Sequence, residues 1–210
     1  MAARAAWRLP KNKSSEIAGS ATVARLVAGT RRFRDLVARL PETRAALAYA
    51  EDRHAGQRRK TDGAPFIEHP LEVAWLLYRA GAPDHVIAAG VLHDTIEKAG
   101  ASVGELRERF GPRTARLVVA VSEDPEISGY VRRKAALREQ VAAAGPEALM
   151  VFAADKISKV REIASSRSVA RRRLTHYRRC LELLERLLSD SPLVTQLRAE
   201  FDRVAAPIAA

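Results

Sequence analysis

Asp84-His85-Val86-Ile87-Ala88-Ala89-Gly90-Val91-Leu92-His93-Asp94-Thr95-Ile96-Glu97-Lys98 is the stretch that decides how this chain folds. Its middle, Val86 to Leu92, is strongly apolar, and the whole stretch fits one helix from Asp84 to about Lys98. His93 and Asp94 stand at the polar end of that apolar run. On the N-terminal side Gly81-Ala82-Pro83 is a break. Before it, Pro70 suits the first turn of a helix after His69. Leu71, Ala74, Trp75 and Tyr78 then recur at i, i+3, i+4 and i+7, which gives one buried face. Farther back, Arg58 to Pro65 reads as a loop, and Pro41-Glu42 opens a helix running through Tyr49 to about Arg58.

On the C-terminal side, Ser102 with Glu105 three residues on is a capping-box signature. Phe110-Gly111-Pro112 closes that helix and opens another that runs to Ser122. Further helices are expected at about 126–144, 146–164, 167–188 and 191–206, with Gly145-Pro146 and Ser191-Pro192 as the clearest breaks. No strand pattern and no internal repeat emerges. The expected fold class is all-α, a single bundle of about nine to ten helices. Residues 1–19 are polar, basic and aperiodic, which predicts a disordered basic tail. Periodicity starts near Ser20, and residues 20–210 are expected to form one domain.

Composition narrows the function. Apolar residues make up 47% of the chain and charged residues 29%, enough for a core and a solvated surface. No apolar run approaches the roughly 18–20 residues of a membrane helix, so no membrane association is expected. The one cysteine, Cys180, rules out an internal disulfide framework. It fits a reducing compartment, and a cytoplasmic location is the expectation. The net charge of +11 implies a polyanionic partner: nucleic acid, an anionic membrane surface or a highly phosphorylated small molecule. Residues 1–40 hold nine arginines and lysines against only Glu16 and Asp35. That excess fits a solvated tail or an Arg-rich transit peptide, but not a secretory signal.

The candidate chemistry lies with His and Asp. Adjacent His93 and Asp94 can both bind one divalent ion, imidazole suiting transition metals and carboxylate widening the choice to Mn and Mg. Glu97 falls on the same helix face as both, where a carboxylate can take a proton from water. His69 precedes a helix, and Asp155 stands inside the apolar helix Met150-Val-Phe-Ala-Ala-Asp155-Lys156-Ile157. Taken singly, His93-Asp94 also fits a helix-end hydrogen-bonding pair, and Asp155 a core acid paired with a lysine. Together with Glu97 they make a stronger case, since a charge in an apolar helix is costly unless paired or metal-bound.

The residues Gln57-Arg58-Arg59-Lys60, Gly63-Ala64-Pro65-Phe66-Ile67-Glu68-His69-Pro70-Leu71, Leu92-His93-Asp94-Thr95-Ile96-Glu97, Phe110-Gly111 and Ala154-Asp155-Lys156 stand in this order along the chain. The set resembles the HD hydrolase domain of RelA/SpoT-type enzymes, whose single-domain form is the small alarmone hydrolase. The resemblance covers roughly residues 40–188. It implies an HD-domain bundle and one Mn²⁺, or another divalent transition metal, held by His69, His93, Asp94 and Asp155. It implies hydrolysis of the 3′-pyrophosphate of (p)ppGpp to GDP or GTP and pyrophosphate. Arg59 and Lys60 match a loop that flanks the guanine base. Tyr177 matches a tyrosine near the nucleotide, with Arg173 one helical turn earlier for the phosphates.

Two positions depart from that family. Its catalytic Glu-Asp pair is Glu97-Lys98 here, and its Asn four residues after the last metal Asp is Lys159. Each lysine can bind a phosphate oxygen as a point charge. Each can equally repel the metal or take the place of a base. The rivals are therefore another HD phosphohydrolase acting on NADPH or a nucleoside phosphate, and a non-catalytic module that binds the alarmone.

Other signals are open. His54 and Gln57 fit groups supporting the site or a solvated helix end. His85 and His176 read as surface or structural. Arg132-Arg133-Lys134 and Arg171-Arg172-Arg173 fit phosphate collectors or solvated faces. No Walker loop or zinc-finger spacing is present, and the few aromatics argue against a nucleic-acid stacking platform. A homo-oligomer is compatible with the sequence.

Overall fold

The computed structural model describes residue 33 and residues 35–164 and 171–205. The expected tail over 1–19, the onset of periodicity near Ser20 and a helix start at 167 lie outside the described residues. After a short 3-10 turn at Val37–Arg39 come α1 (Pro41–Arg53), α2 (Glu68–Arg79), α3 (Asp84–Leu92) and α4 (Thr95–Ala99). Then follow α5 (Val103–Val121), α6 (Tyr130–Ala144), α7 (Pro146–Ala164), α8 (Arg171–Leu187) and α9 (Pro192–Ala205). The fold is all-helical. Among the described residues the only strand-like pairing is one isolated bridge between Arg58 and Pro65. No helix there is long and apolar enough to cross a membrane.

The apolar run of Asp84–Leu92 lies at the centre of the bundle. Every residue of α3 from His85 to Leu92 is buried, and α3 packs against α1, α2, α5 and α7. A helix without a polar face must be wrapped on all sides. Gly90 makes the α2 contact close: a Cβ there would sit 2.4 Å from Leu77 Cδ1. Asp84, at the start of α3, reaches back to α1. Its two carboxylate oxygens accept the backbone N–H groups of Glu42 and Thr43, each at 3.0 Å, and the Thr43 hydroxyl at 2.6 Å. The first turn of α1 is thereby capped from another helix.

Three expected boundaries change. The helix expected from Asp84 to Lys98 breaks into α3 and α4 at His93–Asp94. His93 Nδ1 bonds Gly90 O at 2.8 Å and Thr95 Oγ1 donates to Leu92 O at 2.7 Å, so side chains cap the last carbonyls of α3. Gly100, with φ 67°, then ends α4 in the left-handed region that favours glycine. Next, α1 stops at Arg53, not near Arg58. The chain turns through His54–Gln57, and His54 is buried, so it is not a solvated helix end. Lastly, α6 starts at Tyr130, not near 126. Gly111 has a non-helical backbone inside α5, so the expected break there stands as a kink.

Candidate metal centre and its cleft

Three elements bring the donors together. His69 lies in the first turn of α2, His93 and Asp94 at the α3–α4 break, and Asp155 midway along α7. All four are buried. His69 Nε2 and His93 Nε2 are 3.1 Å apart, and Asp155 Oδ1 lies 3.3 and 3.6 Å from them. One donor atom each from His69, His93 and Asp155 falls within 4.8 Å of the others, a group that can hold a metal ion. Asp94 Oδ2 joins at 3.6 and 3.4 Å from the two imidazole nitrogens.

The hydrogen bonds around these groups say what the centre is for. His93 Nδ1 faces a carbonyl, which can only accept, so Nδ1 carries a proton and Nε2 is the nitrogen left for the centre. His69 Nδ1 lies 2.8 Å from Ser158 Oγ, whose own proton goes to Glu72 Oε2 at 2.7 Å. Ser158 therefore accepts from His69, and His69 Nε2 also faces inward unprotonated. Asp94 Oδ2 and Asp155 Oδ1 are buried with no hydrogen-bond partner. Four lone-pair donors thus converge with no proton required between them, an arrangement a buried site tolerates when a cation joins it.

Electrostatics agree. Lys156 pairs with Asp155 Oδ2, leaving Oδ1 for the centre, and its ammonium lies 4.4 Å from the centroid of the Phe152 ring. Burial opposes ionisation of Asp155, but Lys156 and the two imidazoles hold its carboxyl well below the usual range. Burial, with Lys159 nearby, keeps His69 low and therefore neutral. For His93 burial is outweighed by Asp94 and Asp155, which raise it. The same carboxylates would bind a divalent cation in place of that proton.

The centre forms the floor of a cleft of about 620 Å³. Arg59, Lys60, His93, Asp94, Glu97, Lys98, Asp155, Lys159, Arg173 and Tyr177 all line it, while His69 stands behind the floor. The structure therefore gathers every candidate site residue around one cavity. Glu97 Oε1 accepts the Glu123 backbone N–H at 2.7 Å, and burial together with the Asp94 charge pushes the Glu97 carboxyl up. Gln57 joins the loop to this wall: it bonds His54 Nδ1 at 2.9 Å and the Lys98 carbonyl at 3.0 Å. Arg59 is braced by Asp62 at 2.5 and 3.0 Å, with Glu68 at 3.6 Å.

Tyr130, which the sequence does not single out, lines the cleft as well, as do Lys156 and His176, neither of which is expected there. Lys134 belonged to a basic run whose role stayed open. One member of each run lines the cleft, Lys134 from α6 and Arg173 from α8. Their neighbours brace residues of the cleft wall, Arg133 pairing with Glu123, which Lys134 also binds, and Arg172 lying over the Tyr130 ring. His85 and His176 are both buried, so neither is a surface residue; His85 bonds Glu147 at 3.1 Å. Cys180 is buried beside His176, and burial pushes its thiol up to about 11, which leaves it unreactive.

An all-helical bundle in which a His and a His-Asp pair meet a distant Asp defines the HD class of domains. The HD domain family matches residues 46–183, and this chain belongs to it. It is related to the SpoT and MESH1 type of guanosine-3′,5′-bis(diphosphate) 3′-pyrophosphohydrolase. It is 36% identical over 121 residues to the mouse enzyme of that name, MESH1, covering 56% of this chain and 67% of that one. It is 32% identical over 135 residues to the Aquifex aeolicus guanosine-3′,5′-bis(diphosphate) 3′-pyrophosphohydrolase, covering 63% of this chain and 19% of that longer protein. Among solved structures, a metazoan ortholog of SpoT described as hydrolysing ppGpp superposes with a TM-score of 0.69 at 24% identity. That match covers 78% of this chain and 96% of the other, and shows the shared fold. The crystal structure of lmo0812 from Listeria monocytogenes gives a TM-score of 0.59.

Proposed function

We propose that this chain removes the 3′-pyrophosphate of (p)ppGpp: water adds to the phosphorus, the bond to the ribose 3′-oxygen breaks, and GDP or GTP and pyrophosphate leave. The observation that carries this reading is the set of four inward lone-pair donors on the floor of a cleft walled by cations. The names of the related enzymes supply the substrate class. His69, His93, Asp94 and Asp155 would hold one divalent ion, Mn²⁺ being our assignment. When bound, such an ion supplies charge against the phosphate and makes a water more acidic.

The chain's own residues do the rest. Glu97, its carboxyl raised by burial, takes the proton of the attacking water. Lys159 and Arg173 hold phosphate oxygens, and Tyr177 packs beside the sugar. Lys98 lines the cleft beside Glu97, in the place of an acid that would help to position the water. Arg59 has its Nε and one Nη2 N–H held by Asp62, which fixes the plane of its guanidinium so that its flat face can meet the base, with Lys60 beside it. Lysines in place of an acid and an amide at Lys98 and Lys159 favour a second reading, hydrolysis of NADPH or of a nucleoside phosphate.

One panel separates these. Metal-stripped protein is incubated with Mn²⁺ and ppGpp, pppGpp, NADPH or nucleoside phosphates, and pyrophosphate and orthophosphate are measured. Pyrophosphate from ppGpp supports the proposal, and orthophosphate from NADPH supports the second reading. Tight ppGpp binding without turnover marks a non-catalytic alarmone-binding module. Full turnover after exhaustive metal removal sinks the metal reading.

A further inference from the structure

The HD domain match ends at residue 183, before α9 begins at Pro192. Yet α9 is joined to the metal centre by a chain of hydrogen-bonded side chains. His69 Nδ1 donates to Ser158 Oγ at 2.8 Å, and Ser158 donates to Glu72 Oε2 at 2.7 Å. Arg161 Nη1 donates to the other Glu72 oxygen at 2.8 Å, and Arg161 Nε to Glu200 Oε1 at 2.8 Å. Arg203 closes the chain on Glu200 Oε2 at 2.6 Å. Ser158, Glu72 and Glu200 are 3%, 5% and 6% exposed, so the links nearest His69 are shut off from water, while Arg161 is half-buried and Arg203 lies at the surface.

Spacing explains the assembly. His69 and Glu72 are three apart on α2, and Asp155, Ser158 and Arg161 are successive third residues on α7. Such residues share a helix face. One face of α7 therefore carries a metal donor, the hydroxyl that orients the opposite imidazole, and the guanidinium that ties that hydroxyl's acceptor to α9. A carboxylate reached through a hydroxyl fixes the tautomer and turn of a ligand imidazole and raises its basicity.

We infer that Glu200 on α9, acting through Arg161, Glu72 and Ser158, is a positioning residue that sets the affinity of His69 for metal. The inference rests on the reading of this site as a metal centre. The test is titration of the metal-stripped full chain with Mn²⁺, following free ion by electron paramagnetic resonance. Wild type is compared with Ser158→Ala, Ser158→Thr, Glu200→Gln and Phe201→Leu. Phe201 is a buried α9 residue outside the chain of bonds, so its variant reports loss of packing alone. Ser158→Ala and Glu200→Gln should weaken Mn²⁺ binding about 10- to 100-fold, the usual effect of removing such support. Ser158→Thr should restore most of it. Phe201→Leu should lower the thermal midpoint and leave affinity alone.

Should Glu200→Gln not fold, Ser158→Ala and its threonine rescue, with Arg161→Lys in place of the Glu200 change, carry the same comparison. Unchanged affinity in Glu200→Gln or in Ser158→Ala, or an equal loss in Phe201→Leu and Glu200→Gln, overturns the inference. Absence of Mn²⁺ uptake by the wild type sinks the metal centre itself, and this inference with it.

Discussion

Glu97 and Lys98 stand side by side on α4 and line the same cleft, one able to take a proton and the other not. If Lys98 replaces an acid that would place water, Lys98→Asp should raise ppGpp turnover, by up to about 10²–10⁴-fold for an acid–base group. Lys159 is different. It is only loosely held, 3.8 Å from Glu162, and its charge is felt at both His69 and Asp94. A phosphate clamp is its expected part, so Lys159→Asn should raise KM and lower turnover. Steady-state pyrophosphate release compares the three proteins, and no change in either variant would falsify both placements. Glu97 adds a pH test. Its carboxyl is raised, and the ionised form is the active one, so activity should fall on acidification at a higher pH than an ordinary glutamate gives. Glu97→Gln should abolish turnover while Mn²⁺ is still bound. This much of the site was legible because motif residues keep their order and offsets. Tyr130 and His176 were not, since each owes its place to how α6 and α8 pack against α7, and no local pattern encodes that. The tautomers of His69 and His93 were equally hidden, because their partners, Ser158 and a backbone carbonyl, carry no spacing signal.

At the level of helices, the Gly90 contact sets a testable limit. Gly90→Ala gains helix propensity. It also brings a methyl against the Leu77 side chain, which is fully buried and must shift to admit it. Overpacking of this kind costs about 1–3 kcal/mol, and in a domain of this size each kcal/mol lowers Tm by about 2–4 °C. A thermal scan that finds Gly90→Ala as stable as wild type would show that α2 and α3 can separate freely. Because Gly90 O also holds His93, weaker Mn²⁺ uptake should accompany the loss. The elements themselves were largely readable: apolar periodicity, Pro and Gly breaks and the Ser102 cap, whose side chain does accept the Glu105 N–H at 3.1 Å, place most helices. The α3–α4 break was not, since a polar pair at the end of an apolar helix looks the same whether it continues or caps. Only the bonds of His93 and Thr95 to Gly90 and Leu92 decide it.

Across the whole molecule, charge shapes stability as well as binding. His176 is buried among Lys156, Lys134 and Arg138, and burial first, with these cations, pushes its pKa down to about 2. Unfolded, it titrates near 6.5. The unfolded chain thus takes up a proton that the folded one refuses, so this contribution is whole above about pH 6.5 and is lost as pH falls below it. The expected slope is about 1.4 kcal/mol per pH unit at most. Denaturant unfolding between pH 7 and 4 should show His176→Gln with a visibly flatter profile than wild type, and parallel profiles would argue against it. The basic balance itself was plain from composition, and a core acid paired with a lysine was one reading of Asp155; Lys156 does turn inward to face it. That ammonium offsets one of the buried negative charges, so the helices should stand without an ion as a keystone. Chelated protein should keep its helical circular dichroism and lose only what ligation adds, about 2.7 kcal/mol at a hundredfold excess of Mn²⁺ over Kd. The ion then behaves as a removable part in a standing frame, and the protein can wait, folded and idle, until supply returns.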